Sequence, residues 1–331
     1  MTNVGQTSNR GIELQLNAWL IETKDFSLNA TFNIGHNKNK IDKLASGEKE
    51  WILTSAWRND VVNSDDYRAY VGGTSGLIYG YVNDGFYTVA DFESFDSKSR
   101  TWKLKEGVVD SSPLSDTPRP GNAKFKKLTP VDPNSTNPYQ LTEADRTVIG
   151  NTTPKFSGGF GLNATYKGFD MSMFFNFMYD FDVLNANKIM LTTWADNKEN
   201  NFLMDIASDK RWRNFDDMGN EIRYSPEVLA EFNKNATMWN PTSIGRPICM
   251  SYAVEDGSFL RLNSATLGYT LPSVWTKKVG LSKVRFYVSG NNLFTLTGYS
   301  GYDPEVNIAT GLTPNLSLIH ISEPTRPLYI S

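Results

Sequence analysis

Residues suited to covalent or metal chemistry are few in this sequence. It contains one cysteine, Cys249, and two histidines, His36 and His320, among 331 residues. A single cysteine forms no intrachain disulfide, and Cys249 has no second cysteine or nearby histidine with which to bind a metal. The histidines stand far apart, so neither a Ser-His-Asp nor a Cys-His arrangement is supported. We therefore predict that the chain is not an enzyme and uses no metal or other cofactor.

Neighbouring carboxylates are the next candidates for chemistry, because glycoside hydrolysis uses two of them. Three such pairs occur, namely Asp65–Asp66, Asp216–Asp217 and Glu255–Asp256. Each pair lies in a stretch that shows no pattern of a pocket. The preferred interpretation is solvated loop charge rather than a pair of catalytic acids.

The elements that must position these side chains are strands with a two-residue alternation. In residues 10–21, Ile12, Leu14 and Leu16 alternate with Glu13 and Gln15. This period is typical of a strand with one apolar and one polar face. The other predicted strands are Phe26–Asn37, Phe156–Tyr166, Phe169–Tyr179 and the two segments on either side of Leu271–Pro272.

Two of these strands are predicted to be irregular. In the fifth, the apolar parity changes between Leu262 and Ala265, which indicates a β-bulge. In the fourth, Phe174 and Met178 stand among the polar positions. The polar face is therefore expected to carry some apolar surface there, or to be interrupted by a bulge.

The connections between the strands favour one architecture. Short turns alternate with long irregular segments at residues 38–154 and 180–254, which is typical of an antiparallel up-and-down β-barrel. No apolar run reaches the roughly 18 residues that a membrane helix needs. The alternative is a secreted or surface β-sandwich that binds glycans, in which the apolar faces of two sheets meet in a core. In a transmembrane barrel the same faces form an outward belt.

The net charge of −3 gives no reason to expect nucleic acid as a partner.

A longer motif points to a known family. The segments DGSFLRLNSATLGYTLP and VRFYVSGNNLFTLTGYSGYDPEV resemble the closing region of SusC/RagA-type TonB-dependent outer-membrane transporters, and the run from Asn291 to Val306 is the most specific part. Members close a barrel of about 22 strands. The resemblance therefore implies that this chain supplies part of the barrel wall, as an open curved sheet with long extracellular loops.

The resemblance also implies a function and partners. The family imports oligosaccharides or peptides through the outer membrane of Gram-negative bacteria, with energy passed on by TonB and with a SusD-like surface lipoprotein over the extracellular mouth. The plug and the TonB-contacting segment would lie upstream of this sequence, so the chain alone is not expected to couple to TonB.

The resemblance covers residues 1–316, which are expected to be the C-terminal portion of the barrel, and Met1 is expected to be an internal position of a longer protein. Residues 317–331, SLIHISEPTRPLYIS, instead resemble a translated sequencing adapter.

Ligand contacts in this family come from the outer loops, and aromatic faces stack on sugar rings. The candidate substrate-binding residues are Trp51, Trp57, Tyr67, Tyr79, Tyr81, Phe86, Tyr87 and Trp102. The alternative for each is packing against other loops or against the partner lipoprotein.

A calcium loop is a feature that many members carry before a D-R-x-V-I-G motif, which here begins at Asp145. In this sequence Asp132, Asn134 and Glu143 could supply oxygen ligands, but the glycine that allows the sharp turn is missing. No calcium is therefore predicted.

Overall fold

The structure is a computed structural model, and it describes residues 5–54, 65–114, 117–193, 202–244 and 248–305. The strands in chain order are β1 (Gly5–Glu22), β2 (Phe26–Leu44), β3 (Glu50–Leu53), β4 (Tyr67–Tyr70), β5 (Leu77–Gly80), β6 (Asn83–Phe86), β7 (Phe92–Asp96), β8 (Thr101–Leu104), β9 (Ala123–Phe125), β10 (Thr147–Asn151), β11 (Phe156–Tyr166), β12 (Phe169–Tyr179), β13 (Asp182–Leu184), β14 (Val254–Asp256), β15 (Phe259–Thr270) and β16 (Arg285–Thr297). The α-helices are α1 (Ala186–Met190), α2 (Pro226–Phe232) and α3 (Ser273–Thr276). Within the described residues no helix is long and apolar enough to cross a membrane.

The six long strands form one antiparallel sheet in the order β1-β2-β11-β12-β15-β16. The order follows the chain, apart from the short strands between them, so each long strand pairs with the long strand before it. The six predicted strands are confirmed, and β1 and β2 extend further than the alternation indicated. The sheet does not close within the described residues, because β1 and β16 are its two edges.

The strand register places the apolar parity of all six strands on one face. A single row across the sheet consists of Leu16, Phe32, Phe160, Phe175, Leu262 and Phe294. Leu16 is 53% exposed and Ile12 is 81% exposed. No second sheet covers this face within the described part of the chain. That is the arrangement of a barrel wall and not of a sandwich.

The opposite face of the sheet is polar along the same strands. One row reads Gln15, Asn33, Gly159, Asn176, Arg261 and Thr295. Phe174 also points to this side, where a Cβ atom on Gly159 would lie 2.9 Å from its ring. The glycine therefore makes room for an aromatic ring that would otherwise collide with the neighbouring strand.

The predicted bulge in β15 lies at Asn263. Leu262 pairs with Phe175 and Ser264 with Phe174, so Asn263 is the extra residue. On the other side of the strand Asn263 lies opposite two residues, Asn292 and Leu293, so β16 is bulged there as well. The extra residue returns Leu262 and Ala265 to the same face, which explains the change of parity in the sequence.

The hairpin turns lie at one end of the sheet and the long connections at the other. In the β11–β12 turn, Lys167 and Gly168 have φ angles of 45° and 92°, the left-handed conformation that a two-residue hairpin turn requires. The β15–β16 connection was expected to be a short turn and is longer. Residues 271–284 contain α3 and a 3-10 helix, Lys277–Val279.

The described parts of the long connections, within residues 45–155 and 180–258, fold together into what we call the loop domain. Its core combines side chains from both connections, among them Tyr67, Ile78, Phe125, Leu141, Ile189, Trp239, Ile244 and Met250. The backbone N–H of Tyr81 donates to the Cys249 carbonyl at 3.0 Å, and that of Ser251 donates to the Tyr81 carbonyl at 2.9 Å. These segments were expected to be irregular loops, and they form instead a packed unit with several small sheets.

Candidate ligand surface of the loop domain

The candidate aromatic residues divide into buried and partly accessible ones. Tyr67, Tyr81 and Tyr87 are buried in the loop domain. The Tyr87 hydroxyl donates to the Val109 carbonyl at 2.6 Å and to the Ser111 hydroxyl at 2.8 Å. Burial raises the pKa of Tyr87 to about 12. These rings have no face open to a ligand in this structure.

The other candidates are half-buried. They are Trp51, Tyr79, Phe86 and Trp102, whereas Trp57 lies outside the described residues. The Tyr79 ring contacts two guanidinium groups, with its centroid 5.2 Å from Cζ of Arg68 and 4.5 Å from Cζ of Arg146. Phe86 packs against Trp212 at 5.7 Å between ring centroids. Tyr79 and Phe86 therefore already have partners within the loop domain.

The D-R-x-V-I-G motif is a structural centre of this domain. Asp145 has no exposed side-chain surface, and its carboxylate accepts hydrogen bonds from the backbone N–H groups of Leu128, Thr129 and Thr142 at 2.7–2.9 Å. The Lys127 ammonium lies 3.3 Å away. Burial alone would raise the pKa of Asp145, but these hydrogen bonds outweigh it and hold the pKa well below its ordinary value.

The possible calcium ligands have other roles. The Asp132 carboxylate accepts from the backbone N–H of Asn134 at 2.9 Å, and Glu143 begins a 3-10 helix that ends at Asp145. Among the described residues, no group of three or more histidine, cysteine, aspartate or glutamate side chains is placed to hold a metal ion. Cys249 is buried, and burial raises the pKa of its thiol.

The paired carboxylates are used within the fold. Asp217 pairs with Arg213 at 2.7 Å, and the Asp256 carboxylate accepts from the backbone N–H of Ser258 at 2.8 Å. Asp66 is fully buried, so the interpretation as solvated loop charge is wrong for that residue.

Glu255 and the family motif join the sheet to the loop domain. The Glu255 carboxylate accepts from the backbone N–H and the hydroxyl of Ser300, both at 2.8 Å, and lies 3.0 Å from the Lys188 ammonium. Arg261, which is 8% exposed, donates to Glu305 at 2.7 Å and is paired with Asp303. Residues 298–305 therefore fold back onto the polar face of β15.

Trp102 lies at a small cavity between the two connections of the loop domain. The cavity has a volume of about 80 Å³. Its lining residues are Arg100, Trp102, Arg119, Pro120, Asn122, Asn214, Arg223, Tyr224, Leu229, Asn240, Thr242 and Ser243. Trp102 was identified from the sequence. The arginines and Tyr224 were missed, because they are distant in sequence and follow no periodic pattern.

The fold defines the class of the chain as an open antiparallel β-barrel wall with a folded loop domain at one end. The structure of the RagAB peptide transporter is similar to it, with a TM-score of 0.59, 21% identity and coverage of 91% of this chain and 27% of that chain. The RagAB peptide importer in the 'open-open' state gives a TM-score of 0.58 at 22% identity, covering 91% of this chain and 26% of that one. At this level of identity, the similarity concerns the fold alone.

Sequence comparison gives the family. TonB-dependent receptor P3 of Formosa agariphila is 32% identical over 305 residues, which are 92% of this chain and 26% of that receptor. TonB-dependent receptor SusC of Bacteroides thetaiotaomicron is 25% identical over 318 residues, 94% of this chain and 25% of SusC. No known family profile matches the chain. The resemblance carried by Asn291–Val306 is thereby confirmed, and the chain is identified as a segment of a SusC/RagA-type TonB-dependent receptor. It spans about a quarter of the length of these relatives.

Proposed function

We propose that the chain is part of an outer-membrane transporter of a Gram-negative bacterium that imports oligosaccharides or peptides with energy delivered through TonB. The observation that carries this proposal is the uncovered apolar face of the large sheet. Six strands present aligned apolar rows to the outside, from Leu16 on β1 to Phe294 on β16. In water such a surface would promote association, whereas against lipid it is stabilising.

The domain assignment follows from the same proposal. Residues 1–316 are the C-terminal barrel portion, with outer loops at about 38–154 and 180–254, and residues 317–331 are an adapter-like tail foreign to the receptor. An unbroken read of the surrounding DNA tests this. It should continue past residue 316 into a further amphipathic strand and should show a plug domain upstream. A genome that encodes residues 317–331 as written would contradict the assignment of the tail.

The loop domain supplies the surface for cargo and for a SusD-like surface lipoprotein. Both long connections leave the same end of the sheet, and the two together form one folded unit. Of the aromatic candidates, Trp51, Phe86 and Trp102 keep part of their surface accessible without a stacked guanidinium. We propose these three as ligand contacts ahead of Tyr79, whose ring lies against two guanidinium groups, while Trp57 remains a candidate on its sequence position. Contact with TonB is assigned to receptor segments outside this chain.

The lipid-facing side can be tested directly in the complete receptor. Single cysteines introduced by Leu16→Cys or Gln15→Cys, in a Cys249→Ala background, would be labelled with bimane and reconstituted into vesicles that contain doxyl lipids. These neighbours lie on opposite faces of β1. Strong quenching at position 16 and weak quenching at position 15 is expected. Equal quenching at the two positions would contradict the barrel-wall assignment.

Import can be tested in cells that carry the complete receptor. Uptake of labelled oligosaccharides and of labelled peptides would be compared in strains with and without TonB and with and without the neighbouring surface lipoprotein. TonB-dependent uptake of one cargo class is the expected result. Uptake that is unchanged without TonB would refute the energised transport function.

A further inference from the structure

The small cavity at Trp102 is built from both connections of the loop domain. Arg100, Trp102 and Arg119 come from the first connection, and Arg223 and Tyr224 come from the second. The backbone joins the two sides at this place, since the N–H of Asn240 donates to the Gly121 carbonyl at 2.8 Å. The cavity therefore exists only when both connections are folded together.

The charge of the cavity is strongly one-sided. Among the residues that the structure describes, three arginines and no aspartate or glutamate line it. Glu221 is paired with Arg223. Within the described residues, Arg100 and Arg119 have no ion pair, and the Arg100 guanidinium lies 4.7 Å from the centroid of the Tyr224 ring. Three guanidinium groups that share one carboxylate leave a net positive charge, which an anion would neutralise.

The remaining polar walls offer hydrogen bonds to such an anion. Asn122, Asn214 and Asn240 line the cavity with carboxamide groups. The Asn240 oxygen already accepts from the backbone N–H of Thr242 at 3.0 Å and from its hydroxyl at 2.8 Å, and its NH₂ group is the part that can donate to an anion. Arginine and amide NH₂ groups together match the acceptor oxygens of a sulfate or carboxylate.

Two aromatic residues, Trp102 and Tyr224, form part of the cavity wall. The Trp102 ring packs against Phe92 at 5.3 Å and against Phe95 at 4.8 Å between centroids. Phe95 in turn stacks on Tyr224 at 6.1 Å. This aromatic cluster holds the strand pair β7–β8 against Tyr224 and so fixes the position of Arg100, which directly precedes β8.

We propose that this cavity binds one oxyanion group, the sulfate ester or carboxylate of an anionic cargo molecule. A volume of about 80 Å³ is well above the roughly 10–15 Å³ that one water requires, which leaves room for a single oxyanion group. The rest of the ligand lies outside the cavity, across the exposed Arg100 and Arg119. That the ligand is a cargo molecule rests on the proposed import function, whereas the existence of the binding site does not.

The test is calorimetry on the complete receptor in detergent, with galactose 6-sulfate, galactose and the dipeptide Glu-Ala as probes, each in chloride buffer and in buffer with sodium sulfate. Galactose 6-sulfate should bind at least about tenfold more tightly than galactose, because charged hydrogen bonds to the oxyanion are added. Sodium sulfate should compete. Tighter binding of Glu-Ala than of galactose 6-sulfate would assign the oxyanion to a peptide carboxylate at the same site.

Variants locate the binding within the receptor. Arg119→Gln should weaken binding of galactose 6-sulfate by about tenfold, whereas the control Arg10→Gln, on the exposed strand β1, should not change it. Glu221→Gln removes the carboxylate paired with Arg223 and should strengthen binding. The unfolding temperature of each variant shows that the loop domain remains folded.

Three results would overturn the inference. They are equal binding of galactose and galactose 6-sulfate, equal weakening by Arg119→Gln and Arg10→Gln, and weaker binding in Glu221→Gln. None of these results bears on lipid quenching at position 16 or on TonB-dependent uptake. Failure of the oxyanion site is therefore distinguishable from failure of the import function.

Discussion

Large apolar side chains are buried in the loop domain, whereas many of them are exposed on the large sheet. In the loop domain, Phe125 and Trp239 are at most 1% exposed and are surrounded by side chains from both connections. In the sheet, Phe286 is 63% exposed although it lies in a regular apolar row. In the outer-membrane location that we propose, the apolar residues exposed on the sheet contact lipid, and their exposure does not reflect poor packing.

The largest expected effect comes from making the same substitution in the two regions. Phe125→Ala should lower the free energy of unfolding of the loop domain by about 3–5 kcal/mol, because it empties a fully buried site. Phe286→Ala should change it by less than about 0.5 kcal/mol in detergent, because that ring is on the outer face. Hydrogen exchange of loop-domain amides measures the change in the free energy of unfolding in both variants. Comparable losses of unfolding free energy in Phe125→Ala and Phe286→Ala would contradict the difference in burial between the two regions.

A second prediction concerns the buried charge of the loop domain. Asp145→Asn should destabilise the domain by about 3 kcal/mol, because the amide cannot accept all the hydrogen bonds of the carboxylate and leaves Lys127 unpaired. Asp132→Asn, at an exposed turn, is the matched control. A loss in the control as large as that in Asp145→Asn would show that the burial of Asp145 is not the cause.

The ionisation of Asp145 should make the stability of the loop domain depend on pH. Folding holds the pKa of Asp145 below the ordinary value of 3.8, so its ionised form stabilises the fold above that value. This stabilisation is lost as the pH falls toward the lower pKa of the folded state. The urea midpoint of the loop domain should therefore drop between about pH 4 and about pH 2, and the drop should be smaller in Asp145→Asn. Parallel pH profiles in the two proteins would argue against this role.

A smaller effect is expected where the two regions meet. Arg261→Gln removes the pairing with Asp303 and Glu305 and should lower the protection of residues 298–305 by about 2 kcal/mol. Arg285→Gln, on the neighbouring strand and paired with Asp170, should leave those amides unchanged. Hydrogen exchange resolved by peptide distinguishes the two variants. Unchanged protection in Arg261→Gln would show that other contacts hold this segment.

The smallest effect on stability is expected on the outer face. Ile12 is 81% exposed, so Ile12→Thr should change the free energy of unfolding in detergent by less than about 0.5 kcal/mol. The same variant should bind less detergent, because the apolar surface is reduced. Ile41→Thr, on β2 where that strand contacts the loop domain, should be clearly destabilising. A destabilised Ile12→Thr protein would indicate that something in the receptor packs on this face.

The sheet was predictable because its signals are local. Alternation gave β11 and β12 with the bounds that the structure shows, and the short Lys167–Gly168 turn fixed their register. The bulge at Asn263 was visible as a change of parity within a few residues. The longer β15–β16 connection was missed, because α3 is only one turn and has no sequence period to detect.

The loop domain was not predictable in this way. Its core depends on contacts such as that between Tyr81 and Cys249, which are far apart in sequence and follow no period. The candidate ligand-binding residues could not be predicted from the sequence for the same reason. Aromatic type alone selected Trp102 together with the buried Tyr87, and only the fold separates the two. The arginines around Trp102 come from three places in the sequence, so no local motif could identify them.

The shared core of the loop domain has a consequence for how these receptors diversify. Tyr81 of the first connection and Met250 of the second form a β-bridge, and the packing around them uses side chains from both. A recombination event that exchanged one connection for that of a relative would combine two halves that were not selected together. Functional chimeras should therefore inherit both connections from the same parent, and residues 45–155 and 180–258 should behave as a single unit of inheritance although the strands β11 and β12 separate them.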